Sequence, residues 1–342
     1  MSKTTAGRFF EDCHIGQQIV HAVPRTVSGG ERALYHALYP ARTALYSSDE
    51  FARACGLPQS PVDDLIGFHI VFGKTVPDIS LNAVANLGYA EGRFHTPVYP
   101  GDSLRSHSEV IGLKQNSNGK SGVVWVRTRG ENQRGTLVLD YVRWVMVRKR
   151  DPDAAAPETV VPDLAPVVAP DTLVVPQGLS FSDHDFVLSG EPHRWGDYAI
   201  GERIDHVYGV TVEEAEHMLA TRLWQNTSKV HFDGTQRADG KRLIYGGHVI
   251  SMARALSFNG LANAHMIAAI NAGSHANPCF SGDTIRAWSE VLDRAETRAP
   301  GVGALRLRLV ASKGACDVLK TDDGKYHPDV LLDLDYWVLM PI

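Results

Sequence analysis

The segment LWQNTSKVHFDG, residues 223–234, places two side chains suited to proton chemistry five positions apart, Asn226 and His231. A histidine, with an ordinary pKa of about 6.5, exchanges protons near neutrality and can take one from water or from an acidic carbon. An asparagine can only position: its carbonyl accepts, its amide nitrogen donates, and it is no general base. The pair suits a reaction in which the imidazole carries the proton and the amide orients a water or a hydroxyl.

Those residues need a scaffold, and the surrounding pattern describes one. Downstream, Tyr245-Gly246-Gly247-His248 opens the apolar stretch GHVISMARALSFNGLANA, which suits a helix buried around most of its circumference. Segments such as GVVWVRTRG, TLVLDYVRWVMVRK, ALRLRLVAS and VLLDLDYWVLM carry the β-branched and aromatic alternation of strands. Helices followed by runs of strands indicate an α+β domain.

The plan occurs twice. FFEDCHIGQQIVHAVPRTVS from Phe9 overlies RWGDYAIGERIDHVYGVTVE from Arg194, displaced by 185 positions. PVYPGDSLRSHSEV (97–110) overlies PCFSGDTIRAWSEV (278–291), displaced by 181, with seven of 14 positions identical. The shared Gly-Asp pairs, Gly101-Asp102 and Gly282-Asp283, read as turns. Between the copies, RKRDPDAAAPETVVPDLAPVVAP is too rich in proline for a regular helix or a central strand. The expected organisation is a module at 1–150, a semi-extended linker at 151–176 and a second module at 177–342.

The same displacement separates the copies chemically. Asn226 falls on Ala41 and His231 on Tyr46. Alanine and tyrosine cannot act as an acid/base pair near neutral pH, so the first copy is expected to be degenerate, with Tyr46 packed into or hydrogen-bonded across its vestigial site.

Other chemistries find little support. The stretch GFHIVFGKT (67–75) has glycines spaced like a phosphate loop but one residue too far apart, and bulky apolar residues between them read as the core face of a helix. No Gly-x-Gly-x-x-Gly follows a strand, and no histidine pair has metal-ligand spacing on a helix, so no cofactor and no metal are expected. A net charge of −5 with only the short Arg148-Lys149-Arg150 cluster argues against a nucleic-acid partner. Four scattered cysteines, Cys13, Cys55, Cys279 and Cys316, suggest reduced thiols. With no apolar run of 18 residues and no leader-like N-terminus, a cytoplasmic protein without a membrane partner is expected.

The chain resembles the MaoC-like, or R-specific type 2, enoyl-CoA hydratase family. In that family a motif Asp-x-Asn-Pro-hydrophobic-His-x-Asp follows a short helix, and a glycine begins the central helix. NTSKVHFD (226–233) occupies the first position here, YGGH (245–248) the second, and FHTPVYPGDSL and NPCFSGDTI resemble the family's strand motif. HIVFGKTVPDISLNAVANLGYAEGRFH, VRWVMVRKRDP and ISMARALSFNGLANA look closest to members that act on short, branched, carboxylated acyl-CoA thioesters. The resemblance implies a tandem (double) hot-dog fold, each module an antiparallel sheet wrapped around a long central helix. It implies reversible hydration of an enoyl-CoA, with coenzyme A as part of the substrate; self-association into a homo-oligomer is compatible with it.

By the same resemblance His231 is the catalytic base, Asn226 its positioning partner, and Gly247 the backbone donor to the thioester oxygen. Asn226 stands where the family usually has aspartate. Either His231 carries both proton transfers, or a carboxylate such as Asp233, Asp63 or Asp64 supplies the second, although Asp233 reads as a turn residue. His69 and His248 read first as core histidines, with His248 also a candidate for the pocket. The substrate carboxylate calls for a cation, for which Arg222, Lys229, Arg254 and Arg42 are candidates. A thioesterase and a non-catalytic acyl-CoA-binding protein are the alternatives, since one fold hosts several functions.

Overall fold

The computed structural model describes residues 3–342. Its strands are β1 (Gln18–Val20), β2 (Arg25–Thr26), β3 (Ala83–Phe94), β4 (Ser103–Gln115), β5 (Ser121–Glu131), β6 (Leu137–Arg148), β7 (Arg203–Thr211), β8 (Met266–His275), β9 (Thr284–Glu296), β10 (Val302–Lys313) and β11 (Val330–Pro341). They form one sheet in the order β1-β4-β5-β6-β3-β8-β11-β10-β9-β7, with β2 beside β4. The repeat is visible in that order. Strands β1-β4-β5-β6-β3 and β7-β9-β10-β11-β8 trace the same path, and the two halves join where β3 runs antiparallel to β8, with Tyr89 opposite Gly273.

Each half wraps a central helix, Asp64–Thr75 in the first and Gly246–Leu256 in the second. Every residue from Leu65 to Thr75 and from Gly247 to Leu256 is buried, as expected of a helix enclosed on most sides. The glycine of the false phosphate loop has a packing reason: a Cβ on Gly73 would lie 1.8 Å from the carbonyl oxygen of Trp224. Short helices also match at the 185-residue displacement, Ala44–Ser47 with Lys229–Phe232. Two core histidines repeat as well: His21 bonds Ser108 at 2.8 Å, and His206 bonds Ser289 at 2.9 Å.

The segment between the halves is not free of the sheet. Val160 pairs with Leu113 as an isolated bridge, and buried Val168 accepts from the Trp337 indole and donates to Asn271. Val168, Leu179 and Phe181 pack with Phe51, Trp337 and Leu339 in a second apolar cluster, so β11 is buried along most of its length on both faces.

Candidate active site

One cavity of about 290 Å³ brings the first module to the second module's chemistry. Its walls include Phe72, Tyr89 and Arg143 from the first half and Asn226, His231, Gly246 and His275 from the second. That volume is near the lower end of the 300–1,000 Å³ usual for ligand pockets, enough for a short acyl group but not for a whole coenzyme.

His231 sits on the short helix Lys229–Phe232, and its Nδ1 is 2.7 Å from the carbonyl oxygen of Leu243. A carbonyl only accepts, so Nδ1 carries the proton and Nε2 keeps its lone pair. Nε2 has no partner among the described residues, on a residue that lines the cavity. Burial pushes the imidazole pKa down to about 4, partly offset by the bond to Leu243, so the ring is neutral at pH 7. Asn226 is buried, and its Oδ1 accepts from the Ser228 amide at 3.1 Å. That bond orients the amide and leaves Nδ2 as its unengaged donor.

The two central helices begin differently. Asp63 caps the first, its carboxylate accepting from Leu65 N–H at 2.9 Å. The second follows Tyr245, which offers no side-chain cap, and the amides of Gly246 and Gly247 find no acceptor among the described residues. Unpaired N–H groups at a helix start attract negative charge. Gly246 lines the cavity, with Gly247 one residue behind it along the helix. Both need to be glycine: a Cβ on Gly246 would lie 2.4 Å from the His275 ring, and one on Gly247 would lie 2.4 Å from the Tyr245 ring.

Several expected site residues lie elsewhere. His248 is fully buried against Tyr39, its Nδ1 3.0 Å from the hydroxyl, because it is one residue round the helix from the glycines that open the site. Arg254 lies two turns further along, roughly 12 Å from Gly246 at 1.5 Å per residue. Its guanidinium is spent on Ser257 and on the carbonyls of Ala264 and His265. Arg222 and Lys229 are exposed on the outer faces of their helices and do not line the cavity, and neither does exposed Arg42. His69 is a satisfied core residue between Ser251 at 2.7 Å and Tyr245 at 3.3 Å.

The carboxylates are absent from the site too. Asp233 closes a turn, accepting from Thr235 and Gln236. Tyr46 is buried in the first half, where its hydroxyl donates to Asp64 at 2.5 Å. Asp64 opens the first central helix and also accepts from Ile267 N–H at 2.7 Å, so an internal carboxyl occupies the place corresponding to Gly246. Burial raises its pKa to about 7. Tyr46 thus engages a plug rather than a substrate pocket. Among the described residues no Asp or Glu lines the cavity.

Sequence reasoning overlooked His275, Tyr89, Arg143 and Asn86, all in the cavity wall. Burial, with the neighbouring His231, lowers the His275 pKa to about 4, and its Nε2 is 3.1 Å from the Tyr89 hydroxyl. One signal was legible: Leu139, Tyr141, Arg143, Val145 and Val147 alternate on the inward face of β6, a run in which a charge is conspicuous.

This fold resembles known ones over the whole chain. A crystal structure described as a MaoC domain protein dehydratase from Chloroflexus aurantiacus superposes with a TM-score of 0.96 at 56% identity, covering 100% of this chain and 99% of that one. A Mycobacterium tuberculosis protein described as having a double hotdog fold gives 0.77 at 25% identity, covering 98% of each. The molecule is a MaoC-like double hot-dog enzyme of the carbon-oxygen hydro-lyase class.

Residues 2–315 match the sequence model of the mesaconyl-CoA hydratase family. The chain is 75% identical to a mesaconyl-CoA hydratase of Cereibacter sphaeroides over 341 residues, and 58% identical to a beta-methylmalyl-CoA dehydratase of Chloroflexus aurantiacus over 349, with 99% of both chains covered in each case. It belongs to the mesaconyl-CoA hydratase family.

Proposed function

We propose that the protein catalyses the reversible dehydration of (2R,3S)-β-methylmalyl-CoA to mesaconyl-CoA (2-methylfumaryl-CoA) and water. The observation that carries the reading is the cavity itself. It joins a neutral imidazole with an unpartnered nitrogen to a helix start whose N–H groups are unpaired. The absence of a lining carboxylate disfavours thioester hydrolysis by carboxylate-activated water.

In the dehydration direction Nε2 of His231 takes the proton from the carbon beside the thioester. Negative charge gathers on the thioester oxygen, where the N–H of Gly246, with Gly247 next to it, stabilises it. As the carbon–carbon double bond forms, the C–O bond on the next carbon breaks. The leaving hydroxide takes the proton back from His231 and departs as water, while Nδ2 of Asn226 donates to its oxygen. Hydration is the reverse. With no carboxylate at hand, His231 carries both transfers.

The proposed steps move protons and hydroxide between the substrate and this chain's own side chains, so the reading invokes no cofactor beyond the coenzyme A of the substrate. The reading puts the protein in the cytoplasm, consistent with four free cysteines, and no helix among the described residues is long and apolar enough to cross a membrane. Its partner is the small acyl-CoA, without nucleic acid or membrane, and self-association into a homo-oligomer is compatible with it.

The test is to incubate the protein with mesaconyl-CoA and, separately, crotonyl-CoA while following the enoyl-thioester absorbance. Loss of absorbance with mesaconyl-CoA, faster than with crotonyl-CoA, is expected. Preference for crotonyl-CoA, or release of free thiol without hydrated product, overturns the assignment.

A further inference from the structure

Arg143 stands in the middle of β6 with its side chain fully buried, and it lines the cavity. Its Nη2 donates to Thr75 Oγ1 at 2.7 Å and to Ser80 Oγ at 3.3 Å, and the guanidinium lies 4.4 Å from the centroid of Phe72. Those contacts hold the group in place but do not neutralise it. Nε and Nη1 are buried without a hydrogen-bond partner, and the guanidinium's bonds go to hydroxyls, with no carboxylate paired to it among the described residues. An arginine stays charged even when burial lowers its pKa, and a buried unpaired charge is costly. Such an arrangement calls for an anion from outside the chain.

A second observation points to the same place. Both amide atoms of Asn86, on β3, are buried without a partner, and Asn86 lines the same cavity. Its Cα partner on β6 is Val145, two residues from Arg143 and on the same face. Tyr89 lies opposite Arg143 in the register and bonds His275, whose ring abuts Gly246. The unpaired donors of the first module therefore share a wall with the helix start of the second.

We propose that Arg143, with Asn86 beside it, binds the free carboxylate of the acyl group and sets the preference for carboxylated over uncharged enoyl thioesters. The inference rests on the proposed reaction, in whose substrate the carboxylate is bonded directly to the carbon that loses hydroxide. The carboxylate must then lie within one bond of the reacting centre, so a clamp on it also fixes the orientation of that carbon. Thr75 and Ser80 act as positioning residues. The duplication has thus left the first module with a distinct role, because it supplies substrate recognition to a site whose proton chemistry belongs to the second.

The experiment compares mesaconyl-CoA with 2-methylcrotonyl-CoA, in which a methyl group replaces the carboxylate. Binding and turnover of each are measured with the full-length protein and with R143M and N86A. For R143M we expect affinity and kcat/KM for mesaconyl-CoA to fall by about 10²-fold or more, as when one partner of a buried charge pair is removed. The same values for 2-methylcrotonyl-CoA should change by less than about threefold, since an uncharged methyl makes no ionic contact. Equal losses for both thioesters, or no loss for mesaconyl-CoA, overturn the proposal. Should R143M fail to fold, N86A decides: a loss confined to mesaconyl-CoA supports the clamp, and an unselective or absent loss refutes it. Failure of the reaction itself looks different, because the parent protein would then bind mesaconyl-CoA more tightly than 2-methylcrotonyl-CoA yet hydrate neither.

Discussion

The Nδ1–H of His231 donates to the carbonyl oxygen of Leu243 at 2.7 Å, and this one bond decides which imidazole nitrogen is free to accept a proton. His231→Ala removes the acceptor. Turnover should fall by at least about 10²-fold, the usual contribution of acid/base catalysis, with little change in substrate affinity. Steady-state kinetics check this, and an unchanged kcat removes His231 from the chemistry.

Asn226 offers a donor where the sequence resemblance implies an aspartate. In Asn226→Asp the carboxylate can still accept from Ser228, so the local turn should persist, but the second atom changes from donor to acceptor. If the amide donates to the departing oxygen, kcat should drop by about 10-fold or more, in line with losing a fixed donor. A faster enzyme would show instead that the site prefers a carboxylate there.

Gly246 is pinned by a ring. Because an added Cβ would lie 2.4 Å from Cε1 of His275, Gly246→Ala must displace either the helix start or the imidazole. Overpacking of this kind costs about 1–3 kcal/mol. Denaturant unfolding should register that loss together with reduced turnover. A variant as stable and as active as the parent would mean that the neighbouring wall yields freely.

In the first module, Tyr46→Phe deprives Asp64 of a hydrogen bond inside the protein. A buried bond to a charged or partly charged group is worth about 1–3 kcal/mol, so stability should fall by that order. Turnover should stay within about threefold of the parent, since Tyr46 lies outside the cavity wall. A large, selective loss of kcat would mean that the first half retains catalytic work.

Acid should weaken the fold. Burial lowers His69 and His248 to about 3, and His184, His206, His231 and His275 to about 4, from an ordinary 6.5. Below pH 6.5 the unfolded chain takes up protons that the folded one refuses, so stability is full above 6.5 and declines as the pH falls toward 4. Asp64, raised to about 7, works the other way, because the folded carboxyl keeps its proton up to that pH, and burial raises Asp63 and Glu191 as well. The buried histidines outnumber these carboxyls and set the direction. Tm should be lower at about pH 5 than at about pH 7.5, and an equal or higher value at the lower pH would contradict the buried, neutral state of these rings.

Much of this molecule was legible in its residues. The displacement of 185 positions exposed the duplication and matched His231 to Tyr46, and the structure carries both on equivalent short helices. The apolar run from Gly247 forms the expected buried helix only as far as Leu256; Asn259 and Gly260 beyond it leave helical geometry. What pattern could not rank were the cations: Arg222, Lys229 and Arg254 stood in the motif's own module and Arg42 beside its counterpart in the first, yet it is Arg143, on β6 of the first module, that reaches the cavity. Alternation on β6 marked Arg143 as inward-facing, but not what it faced.

Sequence by itself determined the repeat, and it singled out the half that keeps an amide and an imidazole where the other has alanine and tyrosine, because these depend on residue type and order along the chain. Only the tertiary structure decided that Gly246 meets the cavity, that Asp64 plugs the first site, and that Arg143 and Asn86 border the second. Each of those depends on a helix phase or on the pairing of β3 with β6 and β8, the second of which brings together residues more than a hundred positions apart. Local periodicity reports which side of an element is buried; the sheet register decides what that side meets.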